Sequence, residues 1–153
     1  MKNLTVLFAL IALFIACGGD SKEAANDAPP PKSMVAEEPA ADPKGIGEVK
    51  NVELNDPLNA AMVASGKGVY ELKCAACHKL SDQRVVGPGW KGITTKRTPE
   101  WIMNMTLNVD VMLEEDPTAR ELLKECLVRM PNQNLSMEDA RAVLEFMYDN
   151  DAK

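Results

Sequence analysis

Four cysteines and a single histidine stand in this 153-residue chain, and three of those five residues fall together. Cys74 and Cys77 form a C-x-x-C pair followed directly by His78. Thiols separated by two residues can each bond a neighbouring vinyl group of one haem, and the next residue then lies under the iron with a proximal nitrogen. The spacing therefore predicts covalent attachment of one c-type haem. Two other chemistries use such a pair. A redox dithiol needs a preceding strand in a βαβ context. A zinc site needs a second Cys/His pair, which the chain lacks. Because His78 is the sole histidine, two histidines of this chain cannot both hold the iron. The sixth position is left to methionine, another side chain or an open site. Of nine methionines, Met62, Met103, Met105, Met137 and Met147 fall at helical positions, where core filling is the default. Met112 is placed between helices as a second candidate. Met130 is the predicted ligand: it lies between two expected helices, and Pro131 biases it toward extended geometry.

Those groups need a scaffold. Residues 1–17 carry Lys2 and then an apolar run of about a dozen residues, too short to span a bilayer and of the length of a signal-peptide core. The ending Leu13-Phe14-Ile15-Ala16-Cys17-Gly18 resembles a bacterial lipobox, which implies lipidation at Cys17. The alternative is an ordinary cleaved signal. Residues 18–55 hold five prolines among Ala, Glu, Asp and Lys and are expected as a disordered tether. Residues 56–153 remain for one small domain. Helix starts are predicted at Asp56-Pro57, Thr98-Pro99, Asp116-Pro117 and Ser136-x-x-Asp139. The first helix runs toward Lys73 with Met62, Gly66 and Tyr70 on one face. The third places Ala119, Leu122, Leu123, Cys126 and Leu127 on one face. The last turns Ala140, Val143, Leu144 and Met147 inward. No alternating strand pattern is visible, so the expected fold is all-α, a helical domain wrapped around one haem.

The net charge of −6 argues against a nucleic-acid partner. The charge is uneven. From Lys67 to Arg97 seven basic residues stand against Glu71 and Asp82, whereas from Thr98 onward five basic residues stand against twelve acidic ones. A basic surface around the haem motif would favour redox partner proteins with an acidic docking face.

From about Asn59 to Phe146 the chain resembles the class I mono-haem cytochromes c. Gly66 to His78 resembles that family's first helix and haem motif, Gly87-Pro88-Gly89-Trp90-Lys91-Gly92 its Gly-Pro-x-Leu-x-Gly loop, and Arg129-Met130-Pro131 its ligand-methionine loop. Ala142 to Phe146 resembles its last helix. The resemblance implies that the Pro88 carbonyl orients His78, that Met130 ligates the iron, and that Gly66 and Tyr70 meet Val143 and Phe146. Trp90 and Trp101 would line the haem pocket or fill the core, with the Trp101 N–H on a haem propionate as in some relatives. A narrower similarity links Pro88 to Gly92, Pro99 to Met105 and Met130 to Ser136 with lipoprotein cytochromes encoded beside nitrous oxide reductase, which implies that enzyme as an electron recipient. Cys126 reads as a buried inert thiol, and Glu114-Glu115-Asp116 as a solvated helix start.

The resulting expectation is a monomeric electron-transfer protein outside the cytoplasm, anchored to a membrane by lipid, and not an enzyme. The alternatives are a haem enzyme or gas-binding cytochrome with an open sixth site, or a haem subunit of a larger respiratory complex.

Overall fold

The computed structural model describes residues 40–126 and 128–153; the leader, Cys17, most of the expected tether and Leu127 lie outside the described residues. Those described form six helices, no strand, and one isolated antiparallel bridge between His78 and Arg84. The helices are α1 (Ala60–Lys73), α2 (Ile93–Lys96), α3 (Pro99–Leu107), α4 (Val109–Glu115), α5 (Pro117–Lys124) and α6 (Met137–Asp151). The all-α expectation is met.

The helix starts follow from side chains that satisfy first-turn N–H groups. Thr98 accepts the N–H of Trp101 to open α3, and Ser136 and Asp139 form a reciprocal capping box at α6. At α1 the start expected at Asp56 moves to Ala60. Asn59 supplies the cap, accepting N–H bonds from Ala61 and Met62 at 3.0 and 3.1 Å. Its own N–H donates to Glu145 Oε1 at 2.7 Å, so a buried carboxylate on α6 fixes where α1 begins. Helices α2 and α4 were not expected. Met112, placed between helices on sequence grounds, lies fully buried inside α4. Conversely α5 ends at Lys124, which leaves Cys126 beyond the helix rather than on its face.

Helices α1 and α6 cross at Gly66, where an added Cβ would sit 2.0 Å from the Ala142 carbonyl oxygen. No side chain fits that approach, which is why glycine stands in mid-helix despite its cost of roughly 1 kcal/mol. One turn on, the Tyr70 ring packs on Phe146 at 5.5 Å and on Trp90 at 4.9 Å. The contact of Gly66 and Tyr70 with Val143 and Phe146 is as the resemblance implied.

The tether expected to run to residue 55 is corrected over its last part. Residues 42–52 lie along α3 as a packed arm, and Glu53 and Asn55 bond to Arg141 and Glu145 of α6. Asn104, fully buried, accepts the Val49 N–H and donates its amide to the Lys44 and Val49 carbonyls at 2.9–3.0 Å. Glu100 accepts the Val52 N–H, and the Met112 sulfur accepts that of Ile46. Buried polar groups on α3 need those partners, and Val49 adds apolar burial.

Candidate functional site

Helix α1 delivers the C-x-x-C-H motif at its C-terminus. Beyond Lys73 the chain makes a tight turn in which the Cys74 carbonyl accepts both the Cys77 N–H at 3.1 Å and the His78 N–H at 2.9 Å. This double acceptance folds Cys77 and His78 back over the end of α1. Cys74 is buried beneath them; burial pushes its thiol up to about 11, Lys73 pulls it down, and Cys77 adds to the rise. The Tyr70 hydroxyl donates to the His78 carbonyl at 2.8 Å and ties the turn back to the helix.

The imidazole is held from its other side by the loop 87–92. Nδ1 of His78 lies 2.8 Å from the Pro88 carbonyl oxygen. A carbonyl only accepts, so Nδ1 carries the hydrogen and Nε2 is left with a free lone pair, the form that binds a metal. Burial lowers the pKa of the ring, against the raising effect of the Pro88 carbonyl, which keeps it neutral and ligand-ready. Gly87 lies against the ring: an added Cβ would be 2.4 Å from Cε1 and 2.8 Å from Nδ1. Trp90 stacks nearby, its ring 5.7 Å from that of His78.

The His78 ring lines a partly open cleft of about 160 Å³. Cys77, His78, Pro88, Trp90, Trp101 and Met130 all line it, so the structure brings together every sequence-predicted pocket residue except Cys74. Ile102, Met105, Leu113, Leu122, Leu123 and Met147 complete apolar walls drawn from α3 to α6. Met130 lies half-buried in the extended stretch before α6. Met112, the second ligand candidate, does not line the cleft; its sulfur is taken by the arm.

Three expectations at the margins change. Trp101 does not hold its N–H free for a propionate: it donates to Asp116 Oδ1 at 3.2 Å. Asp116 is not solvated but fully buried, because it both caps α5 through the Ala119 N–H and accepts the indole. Cys126 is half-buried and lines the cleft, with Arg84 Nη1 3.3 Å from its sulfur. Arg84 also pairs with the Glu125 carboxylate at 2.9 Å, and Lys73 donates to the Gln133 carbonyl. Two residues of the basic excess thus fasten the segment around Met130. Sequence reasoning missed the buried Asp116 because an acid in a run of three, before proline, reads as surface.

The chemistry of these donors fits a haem. A neutral imidazole nitrogen, the Cys77 thiol and a thioether line apolar walls, and the Cys74 thiol is buried in the preceding turn. Arg97, whose guanidinium lies 5.2 Å over the Trp101 ring, has a buried Nε with no protein partner. Cys74 and Cys77 would hold the group and His78 would ligate its iron. No curated protein matches the chain. Cytochrome c from Rhodothermus marinus is 36% identical, with 69% of this chain and 90% of that chain covered at a TM-score of 0.67. An engineered form of that cytochrome, Rma TDE, is 34% identical over 73% of this chain and 100% of that chain, at a TM-score of 0.69. The family model for cytochrome c matches residues 63–150. With the C-x-x-C-H turn, the oriented imidazole and the cleft, these likenesses establish that the chain belongs to the cytochrome c family, with covalently attached haem c as its cofactor and haem-based electron transfer as its function.

Proposed function

We propose that this protein is a tethered one-electron carrier outside the cytoplasm, with His78 and Met130 as axial ligands, lipid on Cys17 as its membrane anchor, and no catalytic turnover of its own. The observation that carries this reading is the composition of the cleft wall. The wall offers one imidazole and a loop thioether among mostly apolar side chains; Cys77, Thr106, Cys126 and Arg129 are its other polar side chains, and no carboxylate or second imidazole is among the described residues that line it. A haem enzyme needs a positioned acid or base beside the open iron face; a carrier needs the iron shielded and its potential raised, which His/Met ligation does. Haem bound there supplies one-electron redox chemistry. His78 is kept in one tautomer by Pro88, and Trp90 and Trp101 exclude water from the iron's surroundings.

The partner reading rests on the cleft mouth. Val86 and Val128 line the cleft and are 41% and 57% exposed, an apolar rim. Lys79 and Lys91 flank the haem segments. An acidic partner face steered by such cations meets an apolar contact at the point where electrons leave. The narrower sequence similarity makes nitrous oxide reductase the first recipient to try. With the arm packed on α3, the chain from 18 to 41 bounds the reach of the anchor at about 80 Å fully extended.

Stopped-flow oxidation of the reduced holoprotein by candidate periplasmic reductases tests the proposal. The true partner should oxidise it fast at low salt and more slowly as salt rises, and Lys79→Glu with Lys91→Glu should slow it without changing the spectrum. Rates that stay flat with ionic strength remove the docking argument.

A further inference from the structure

We propose that Asp116 is a potential-setting residue: a buried negative charge, joined to the haem cleft through the Trp101 indole, that stabilises the oxidised protein. Asp116 is fully buried, and its Oδ1 accepts two N–H bonds, from Ala119 at 2.7 Å and from the Trp101 indole at 3.2 Å. Oδ2 has no protein partner. The indole it holds is 5% exposed and forms part of the cleft wall. The acid is therefore one side chain removed from the cleft.

Capping alone does not account for the position. An exposed Ser or Asp caps a helix as well, and burying the carboxylate costs several kcal/mol unless charge and donors recompense it. Arg97 is a charged group over the face of the same ring, 5.2 Å from its centroid. Asp116 and Arg97 thus both contact Trp101, one hydrogen-bonded to its edge and one over its face. Oxidation adds a positive charge at the iron, and a fixed anion behind a low-dielectric wall favours that state over the reduced one. Salt screens such a buried charge far less than a surface one.

The test is the midpoint potential of the holoprotein at low and high ionic strength. Asp116→Asn keeps the size and an acceptor for the indole but removes the charge; Asp116→Ser removes it and retains a cap. Either variant should raise the ratio of reduced to oxidised protein at fixed ambient potential by at least threefold, about 28 mV on a scale of about 59 mV per tenfold for one electron. The shift should persist at high salt with the near-infrared ligand band intact. Glu115→Gln, the same charge change on the exposed neighbour, should give a smaller shift that fades with salt. The proposal is overturned if the Asp116 variants keep the wild-type potential. It is equally overturned if their shift fades with salt as Glu115→Gln does, or if it appears only with loss of the ligand band.

Discussion

Replacing Gly87 by alanine adds one methyl group where the structure has no room for it. The new Cβ would stand 2.4, 2.8 and 2.9 Å from three atoms of the His78 ring, against ordinary contact distances of about 3.5–4.0 Å. Relief requires ring and loop to part by about 1 Å. Neither is free to move. The ring is held by Pro88, its backbone by Cys74 and Tyr70, and Gly87 itself donates to the Cys77 carbonyl at 3.0 Å. Overpacking costs about 1–3 kcal/mol and the lost Nδ1 hydrogen bond about 1 kcal/mol more, so the variant should be destabilised by about 2–4 kcal/mol. In a domain of this size each kcal/mol lowers the melting temperature by about 4–8 °C. Denaturant unfolding followed at the haem absorption band, with an unchanged slope, measures it. Gly68→Ala is the matched control: nothing lies within 4 Å of its added Cβ, and in a helix interior it should stabilise by roughly 0.5–1 kcal/mol. Equal stability of the Gly87→Ala and wild-type holoproteins would refute the steric argument and the tight proximal loop with it.

Cys74→Ala or Cys77→Ala should prevent two-bond haem attachment and sharply reduce folded holoprotein, read as intact mass and yield from a host competent in haem attachment. Cys17→Ser should release the protein from membranes; unchanged association after fractionation would end the lipid-anchor reading. Glu145 gives a pH dependence. Burial pushes its pKa up, but the Asn59 N–H, the Arg141 guanidinium and the Asn55 amide outweigh it and leave it below the usual value. Its stabilisation is therefore complete above an unfolded value of about 4.3 and is lost as pH falls through the lower folded value. Glu145→Gln should be less stable at neutral pH and should lose less than wild type on acidification, measured as denaturant midpoints from about pH 6 to 3.

What could be read from the sequence was what local chemistry dictates. The Cys74–His78 turn, the proline after Met130 and the Thr98 and Ser136 caps each depend on neighbours in the chain, whereas the crossing at Gly66 was implied by the family resemblance. The arm 42–52 was hidden because its reason lies elsewhere. Ile46, Val49 and Val52 are too few to announce a packed segment, and the groups that hold them, Asn104, Glu100 and the Met112 sulfur, are polar atoms some fifty to sixty residues away. The start of α1 moved for the same cause, since Glu145 selects it across the crossing. Asp116 shows the limit most clearly. Its neighbours Glu114 and Glu115 are exposed as expected, and only the fold turns the third acid of the run inward to meet Trp101.

The near-infrared absorption of the oxidised holoprotein is the most direct measure of the central claim, that His78 and Met130 hold the iron of a one-electron carrier. The weak methionine–iron band should be present in wild type and in Met112→Ala, whose sulfur serves the arm. It should vanish in Met130→Ala, with a lowered potential. A band that survives Met130→Ala, or one that is missing from the wild-type protein, would contradict the account.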